Sequence, residues 1–312
     1  MRRITFIAVL ATVTATTAVT ACNGGATDSD QPSSEPIVAD TSNDDPSSAS
    51  TTSVQSQADR IVSLSPSATE MLFAMGAGDQ VVGVDDQSNF PADALSKPHD
   101  LSASSPDLDK LAALHPDLVV IADDAAGLSS QLAGRGIAVL IEPQPTSIDL
   151  VFDQIHDLGT VTGHVDEAGR VADGMRAAID TAVAATSKPS RPMTYYHELD
   201  TDGTSITENT LTGQIYGLFG LQSIADLQEV SSDTPKLSAD AIISADPDLI
   251  FLADAETPAT VSARPGWAKL HAVTDGNVVV LDDGISSRWG PRLVDFVRTI
   301  AAAIERASLG VS

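Results

Sequence analysis

The chain has 312 residues, a hydrophobic content of 42% and a formal net charge of −26 at pH 7. This length suits one large domain or two medium ones, and the apolar content is sufficient for a buried core. The acidic balance excludes nucleic acid as a natural partner, because phosphate recognition requires a basic surface.

The N-terminus has the pattern of an export signal. A basic Arg2-Arg3 pair precedes an apolar run over 4–13, which is shorter than a membrane span. The stretch ends in VTAC, where a small residue precedes the only cysteine of the chain, as in a bacterial lipobox. We therefore predict a lipoprotein signal peptide over 1–21 and a lipid anchor on Cys22. An ordinary secretory signal followed by a chance cysteine is the alternative.

Residues 22–59 are predicted to form a disordered tether behind that anchor. The segment is rich in Ser, Thr, Asp and Pro and contains few large apolar residues. Such a composition cannot bury enough apolar surface to offset the entropy lost on ordering. The folded part is therefore expected to begin near Arg60 and to lie at the extracytoplasmic face of the membrane.

Residues 60–163 alternate short apolar runs with helical patterns, which is typical of βαβ units and a parallel sheet. The predicted strands are 61–64, 81–84, 118–121 and 137–141, and the predicted helices are 66–75, 107–114 and 127–134. This region is assigned to an N-terminal lobe.

A longer helical pattern follows this lobe. Apolar residues spaced three and four apart over 165–185 predict a helix of about 30 Å. Ser187-Lys188-Pro189 ends it, so 164–188 is assigned to a linking helix. Alternating strands and helices resume over 189–312, which is assigned to a C-terminal lobe. Its predicted elements are 193–197, 211–219, 237–244, 249–252, 278–281 and 293–307.

The two predicted lobes also share a repeat. DLDKLAALHPDLVVIADD at 107–124 and SADAIISADPDLIFLADA at 238–255 align without a gap. Both contain Pro-Asp-Leu before an apolar run and Ala-Asp after it. The repeat favours a duplicated lobe over a chance match of a common helix–strand sequence.

Several stretches follow one another in a characteristic order. They are RIVSLSPSATEMLFAMGAGDQVVGVDD at 60–86, the repeated PDLVVIADD and PDLIFLADA, YYHELD at 195–200, NTLTGQIYGLFGLQSIAD at 209–226, and SSRWGPRLVDFVRTIA at 286–301. In this order they resemble substrate-binding proteins that serve ATP-binding-cassette importers of iron–siderophores, haem and cobalamin. The resemblance implies an α/β fold of two Rossmann-like lobes with parallel sheets, joined by one long rigid helix, with the ligand in the cleft between them.

The same resemblance implies partners and docking residues. The partners would be an ABC permease with its ATPase, and the receptor itself would be a monomer. Glu70, in the SATE element, would pair with permease arginines from near the tip of its lobe; an acid that suits the helix dipole is the alternative. In the second lobe the family's docking glutamate is replaced by Asp240, and neighbouring Glu229 is the other candidate. Asp109, at the repeat-equivalent place, is interpreted as a structural or capping residue.

Ligand contacts are expected beyond the carboxyl ends of the strands. Phe90 and Trp289 are candidates to lie against a flat ligand, and Arg288 to neutralise an anionic chelate. Tyr196 and His197 are candidates to face a metal centre. The alternative for each is a role in the core or in helix capping. Ser65 completes the candidate set and is also expected to cap the following helix, with Pro66 at its first position.

The expected function is a membrane-anchored receptor for a metal chelate. A ferric siderophore or a cobalamin-type corrinoid is favoured over haem, because no pair of axial ligands is evident. No cofactor and no protein-built metal site are expected, since the histidines have no metal-ligand spacing. Nucleotide-binding, serine-hydrolase and zincin motifs are absent from the sequence, which argues against an enzyme. A receptor for free divalent metal and a surface protein without a transport role are the alternatives.

Overall fold

The computed structural model describes residues 57–124, 127–189, 191–228 and 231–310. The predicted signal peptide, Cys22, the tether up to residue 56 and Glu229 therefore lie outside the described residues. Within the described part, no helix is both long and apolar enough to cross a bilayer.

The first lobe alternates strands and helices along the chain. Its elements are β1 (Ile61–Leu64), α1 (Pro66–Ala74), β2 (Val81–Val84), α2 (Leu108–Ala113), β3 (Leu118–Ile121), α3 (Leu128–Ala133) and β4 (Ala138–Ile141). Two short 3₁₀ helices, Ala77–Asp79 and Ala92–Ser96, flank β2. The strands form one parallel sheet in the order β2-β1-β3-β4.

Two helices lead from the first lobe to the second. They are α4 (Ile148–Thr162) and α5 (Val165–Ala185), which lies where the linking helix was predicted. They pack closely, because a Cβ added at Gly159 would lie 2.4 Å from the Cβ of Ala168. Only glycine permits that approach at their crossing.

The second lobe repeats the architecture of the first. Its elements are β5 (Thr194–Glu198), α6 (Leu211–Gly217), β6 (Gln222–Ser223), α7 (Ala239–Ala245), β7 (Leu249–Leu252), α8 (Pro258–Ser262), α9 (His271–Thr274), β8 (Val278–Val280), α10 (Asp283–Ser286) and α11 (Leu293–Gly310). The parallel sheet has the order β6-β5-β7-β8, which matches the first sheet position by position. The predicted fold class, two parallel-sheet α/β lobes, is confirmed.

The sequence repeat corresponds to a structural repeat. The paired segments form α2–β3 and α7–β7, and each helix is followed by a residue in the left-handed region before Pro-Asp. These residues are His115 (φ 48°) and Asp246 (φ 44°), the two non-glycine positions with positive φ in the described part of the chain. Asp246 is supported there by the backbone N–H of His271, which donates to its Oδ1 at 2.8 Å.

One apolar core runs through both lobes. It joins Ile61 and Leu118 of the first sheet to Leu249 and Phe251 of the second through residues of α5 and α11, including Met175. Each sheet also has one smaller apolar cluster on its outer face. Because close-packed interiors deform little, a shared core favours a preformed cleft over wide hinge bending.

Candidate ligand-binding cleft

The corner between β1 and α1 is built as the sequence predicts. Ser65 is the N-cap residue of α1, and its Oγ accepts the backbone N–H of Ala68 at 3.3 Å. Pro66 occupies the first helical position, where a missing N–H is not needed. The corner thus brings α1 directly to the carboxyl edge of the first sheet.

Buried hydroxyl groups attach the loop after β2 to α1. The Oγ1 of Thr69 donates to the Oγ of Ser63 at 2.8 Å and lies 2.9 Å from the Oγ of Ser88. Asp85 is buried beside them, and one of its oxygens accepts the backbone N–H of Gln87 at 3.0 Å. Burial raises the pKa of Asp85, and hydrogen bonds from Ser88 and Gln87 partly oppose that rise. The loop carrying Phe90 is therefore held in place.

Glu70 forms an ion pair with two arginines of the C-terminal lobe. Arg292 donates from Nε to Oε2 at 3.1 Å and from Nη2 to Oε1 at 2.5 Å. Arg288 donates from Nη1 to Oε1 at 3.2 Å. We call these three residues the Glu70 cluster. The side chain of Glu70 is only 1% exposed.

The position of Glu70 in the structure differs from the one expected from the sequence. From the sequence, this carboxylate is expected near the tip of its lobe, within reach of a permease. The structure instead buries it against Arg288 and Arg292, more than 200 residues away in sequence. Its role in docking stays a prediction, but the carboxylate is not exposed as that role requires.

Arg288, Trp289 and Phe90 gather around the cluster. Arg288 also donates to the Oδ1 of Asn89 at 2.9 Å and to the carbonyl oxygen of Gln87 at 2.8 Å. The guanidinium carbon of Arg292 lies 4.3 Å from the centroid of the Phe90 ring. Phe90 is 42% exposed, and Trp289 is half-buried. The loops after β2 and β8 therefore meet at one side of the cleft.

Further polar bonds link the lobes. The backbone N–H of Trp289 donates to the Oγ of Ser67 at 3.2 Å, next to the Glu70 cluster. On the side of β4, the Nε2 of Gln214 on α6 donates to the carbonyl oxygen of Thr146. The cleft is thus bridged both beside β2 and beside β4.

Tyr196 and His197 do not face the cleft as expected. The ring of Tyr196 is fully buried against Trp267, with centroids 5.9 Å apart. The Nδ1 of His197 lies 2.9 Å from the hydroxyl of Tyr216, inside the shared core. Burial lowers the pKa of His197 to about 3, so it is neutral at physiological pH. The interpretation of these two residues as metal-facing is therefore wrong, because alternate residues of β5 fill the two faces of a buried sheet.

A second buried pair was not predicted from sequence. Glu198, at the end of β5, accepts two bonds from Arg264, at 2.6 and 2.7 Å. Arg264 lies 3.5 Å from Glu256 and 4.7 Å from the centroid of the Trp267 ring. Burial raises the pKa of Glu198, while Arg264 opposes the rise. Glu198 and Glu256, at the carboxyl edge of the second sheet, are thus paired with an arginine of their own lobe.

The remaining predicted site residues lie on the surface. Asp240 is exposed in the first turn of α7. Asp109, at the equivalent place on α2, pairs with Arg135 at 3.1 Å, which suits a structural role. No group of three acidic, histidine or cysteine side chains in the described ranges is placed to hold a metal ion.

Comparisons with known proteins agree with this architecture. Residues 61–284 match the family model described as periplasmic binding protein. An uncharacterised ABC transporter substrate-binding lipoprotein of Bacillus subtilis is 26% identical over 260 residues, covering 80% of this chain and 81% of the relative. A cobalamin-binding protein of Halobacterium salinarum is 29% identical over 269 residues, covering 82% and 72%.

A solved structure shows the same fold. The periplasmic haem-binding protein of Roseiflexus sp. RS-1 superposes with a TM-score of 0.71 at 24% identity, covering 81% of this chain and 99% of that one. The matched region includes both lobes and hence the cleft between them.

Proposed function

The chain belongs to the periplasmic binding protein family, and from this premise we propose that it is a lipid-anchored receptor that binds a metal chelate and delivers it to an ABC permease. The family and the relatives are substrate-binding proteins, so the chain is not an enzyme. The observation that carries the proposal is the family match across both lobes, which includes the cleft where their strand ends meet.

The cleft favours some chelates over others. The histidine and both tyrosines of β5 are enclosed in the lobe, which counts against a ligand coordinated through them, as haem commonly is. An exposed Phe90 and a half-buried Trp289 suit contact with a large ligand that brings its own metal ligands. We therefore favour a ferric siderophore or a corrinoid over haem as the ligand. The name of the cobalamin-binding relative agrees with a corrinoid.

Anchoring and delivery complete the proposal. Cys22 would carry the lipid that holds the receptor at the extracytoplasmic face. Asp240 supports docking of the second lobe because it is exposed and forms no ion pair within the part of the chain that the structure describes. A carboxylate at a helix N-terminus can bind a permease arginine in a transient, salt-sensitive contact.

Uptake by cells tests delivery. In cells that lack this protein, the wild-type chain should restore uptake of radiolabelled cobalamin or ferric siderophore. Asp240→Lys should lower the restored uptake about tenfold, because like charges at an interface cost at least about 1.4 kcal/mol, and chelate affinity should stay unchanged.

Asp149→Lys is the control, since it reverses the charge of an exposed carboxylate in the first turn of α4, which is not equivalent to Asp240 in the repeat. It should leave uptake close to the wild-type level. Equal losses in both variants would indicate a general effect of charge, and no loss in either would contradict docking through Asp240.

A further inference from the structure

The Glu70 cluster has the construction of an anion-binding site. Two guanidinium groups direct three N–H groups at one carboxylate, at 2.5, 3.1 and 3.2 Å. Arginines that converge in this way are the usual means by which proteins hold the carboxylate or phosphate of a ligand. Here the carboxylate belongs to Glu70 of the same chain.

Among the described residues, Glu70 is the one carboxylate to which the two arginines donate hydrogen bonds. The other partners of Arg288 are the neutral oxygens of Asn89 and Gln87. Glu70 raises the pKa of Arg292 through its hydrogen bonds, burial opposes this, and the charges of Asp282 and Asp295 add to the rise. Asp282 itself is exposed to solvent.

Unused donors remain at both guanidinium groups. Each arginine has five N–H groups. Among the described residues, the hydrogen bonds of Arg288 use three of its donors and those of Arg292 use two. The pair can therefore hold an anionic group with more oxygens than one carboxylate.

The cluster also lies where a ligand would meet it. Arg288 follows β8 and its partners follow β2, so the site joins the carboxyl edges of the two sheets. Arg292 packs on the exposed ring of Phe90.

Two glycines leave room for the backbone to lie against Glu70 and Arg292. A Cβ added at Gly290 would lie 3.1 Å from both the Cβ and the Oε2 of Glu70, closer than most packed side chains approach. A Cβ at Gly284 would lie 2.8 Å from the Nη2 of Arg292. Glycines at both positions allow the segment to close on the site.

We propose that Arg288 and Arg292 form an anion-binding subsite of the cleft that Glu70 occupies from within the chain, and that an anionic group of the ligand displaces Glu70 from it. As a subsite for the ligand, this rests on the proposed receptor function. It assigns the ligand class as a chelate with a carboxylate or a comparable anionic group. Glu70 then acts as an internal competitor, because the anionic group must replace its hydrogen bonds to the two arginines.

The test uses a small anion, so that no chelate needs to be identified. The probe is tricarballylate, a tricarboxylate, added to the full chain at constant ionic strength. Glu70→Gln leaves the two arginines without their carboxylate, so tricarballylate should raise its melting temperature by about 3 °C at ten times the dissociation constant. The wild-type chain should shift by less than about 1 °C at the same concentration.

A control variant leaves a different, more exposed arginine without its carboxylate. Asp248 is a buried carboxylate paired with Arg191 at the opposite, amino-terminal end of the second sheet. Asp248→Asn should gain nothing from tricarballylate. Equal shifts in Glu70→Gln and Asp248→Asn, or no shift in Glu70→Gln, would overturn the proposal.

A second variant covers the case in which Glu70→Gln does not fold. Glu70→Asp keeps the charge but shortens the side chain by one methylene, so tricarballylate should stabilise it more than the wild type. An unchanged response would overturn the proposal. No chelate and no permease takes part in these measurements. If tricarballylate does not bind the subsite, the receptor function is still tested by the uptake experiment. If uptake fails, the binding of tricarballylate is unaffected by that outcome.

Discussion

Replacing Glu70 with glutamine is expected to lower the free energy of unfolding by about 3–5 kcal/mol, because it leaves two largely buried guanidinium groups without their shared carboxylate. The side chains of Arg288 and Arg292 are only 9% and 17% exposed, so solvent compensates little for the lost bonds. Urea unfolding at pH 7 measures the loss from the transition midpoint.

Asp109→Asn is the control for that measurement. It also removes one negative charge from the chain, but its ion pair with Arg135 is exposed. Such surface pairs contribute about 0–1 kcal/mol, so the variant should unfold close to the wild type. A loss below about 1 kcal/mol for Glu70→Gln would mean that the cluster adds little to the joining of the lobes.

Glu142 gives the stability of the protein an unusual dependence on pH. Its side chain is buried just after β4, and its Oε1 has no hydrogen-bond partner among the described residues. Burial, together with the charge of Asp157, raises the pKa of Glu142 to about 8. The folded protein therefore holds a proton at pH 7 that the unfolded chain releases near pH 4.5.

The sign of the effect follows from that difference. Between pH 4.5 and about 8 the folded state binds more protons at Glu142, so its contribution to stability falls as pH rises. Glu142→Gln removes the titration and keeps the shape. Its stability relative to the wild type should increase by on the order of 1.4 kcal/mol for each pH unit in that window.

Urea unfolding of both proteins at pH 5, 6, 7 and 8 measures the difference. The buried His197 produces a slope of the opposite sign below its unfolded pKa, but both proteins contain it, so it cancels. Parallel stability curves for the two proteins would contradict a protonated Glu142.

The sequence predicted the architecture because its signals are local. The apolar runs of β1, β3 and β7 have turn residues at their ends, and the strands occupy the predicted positions. The repeat predicted two matching lobes, and the sheets have the same strand order. Short elements such as β6 and α10 were missed, since two to four residues carry no readable period.

The candidate site could be predicted only in part. The capping role of Ser65 depends on neighbouring residues and was visible in sequence. The partners of Glu70 lie in another lobe, so only tertiary packing reveals them. The burial of Tyr196 and His197 likewise depends on which layers cover the sheet.

Equilibrium binding to the cleft tests the proposed function most directly. The chain contains two tryptophans, and Trp267 is buried in the outer core of the second lobe, so Trp267→Phe leaves Trp289 as the single reporter beside the cleft. This variant, with Cys22→Ser to prevent lipidation, is titrated with cobalamin, ferric siderophores, haem and free divalent metals. We expect saturable quenching at submicromolar concentration by a ferric siderophore or a corrinoid, and none by free metal. Saturation by a free divalent metal, or by no chelate at all, would contradict the assignment of this protein as a chelate receptor.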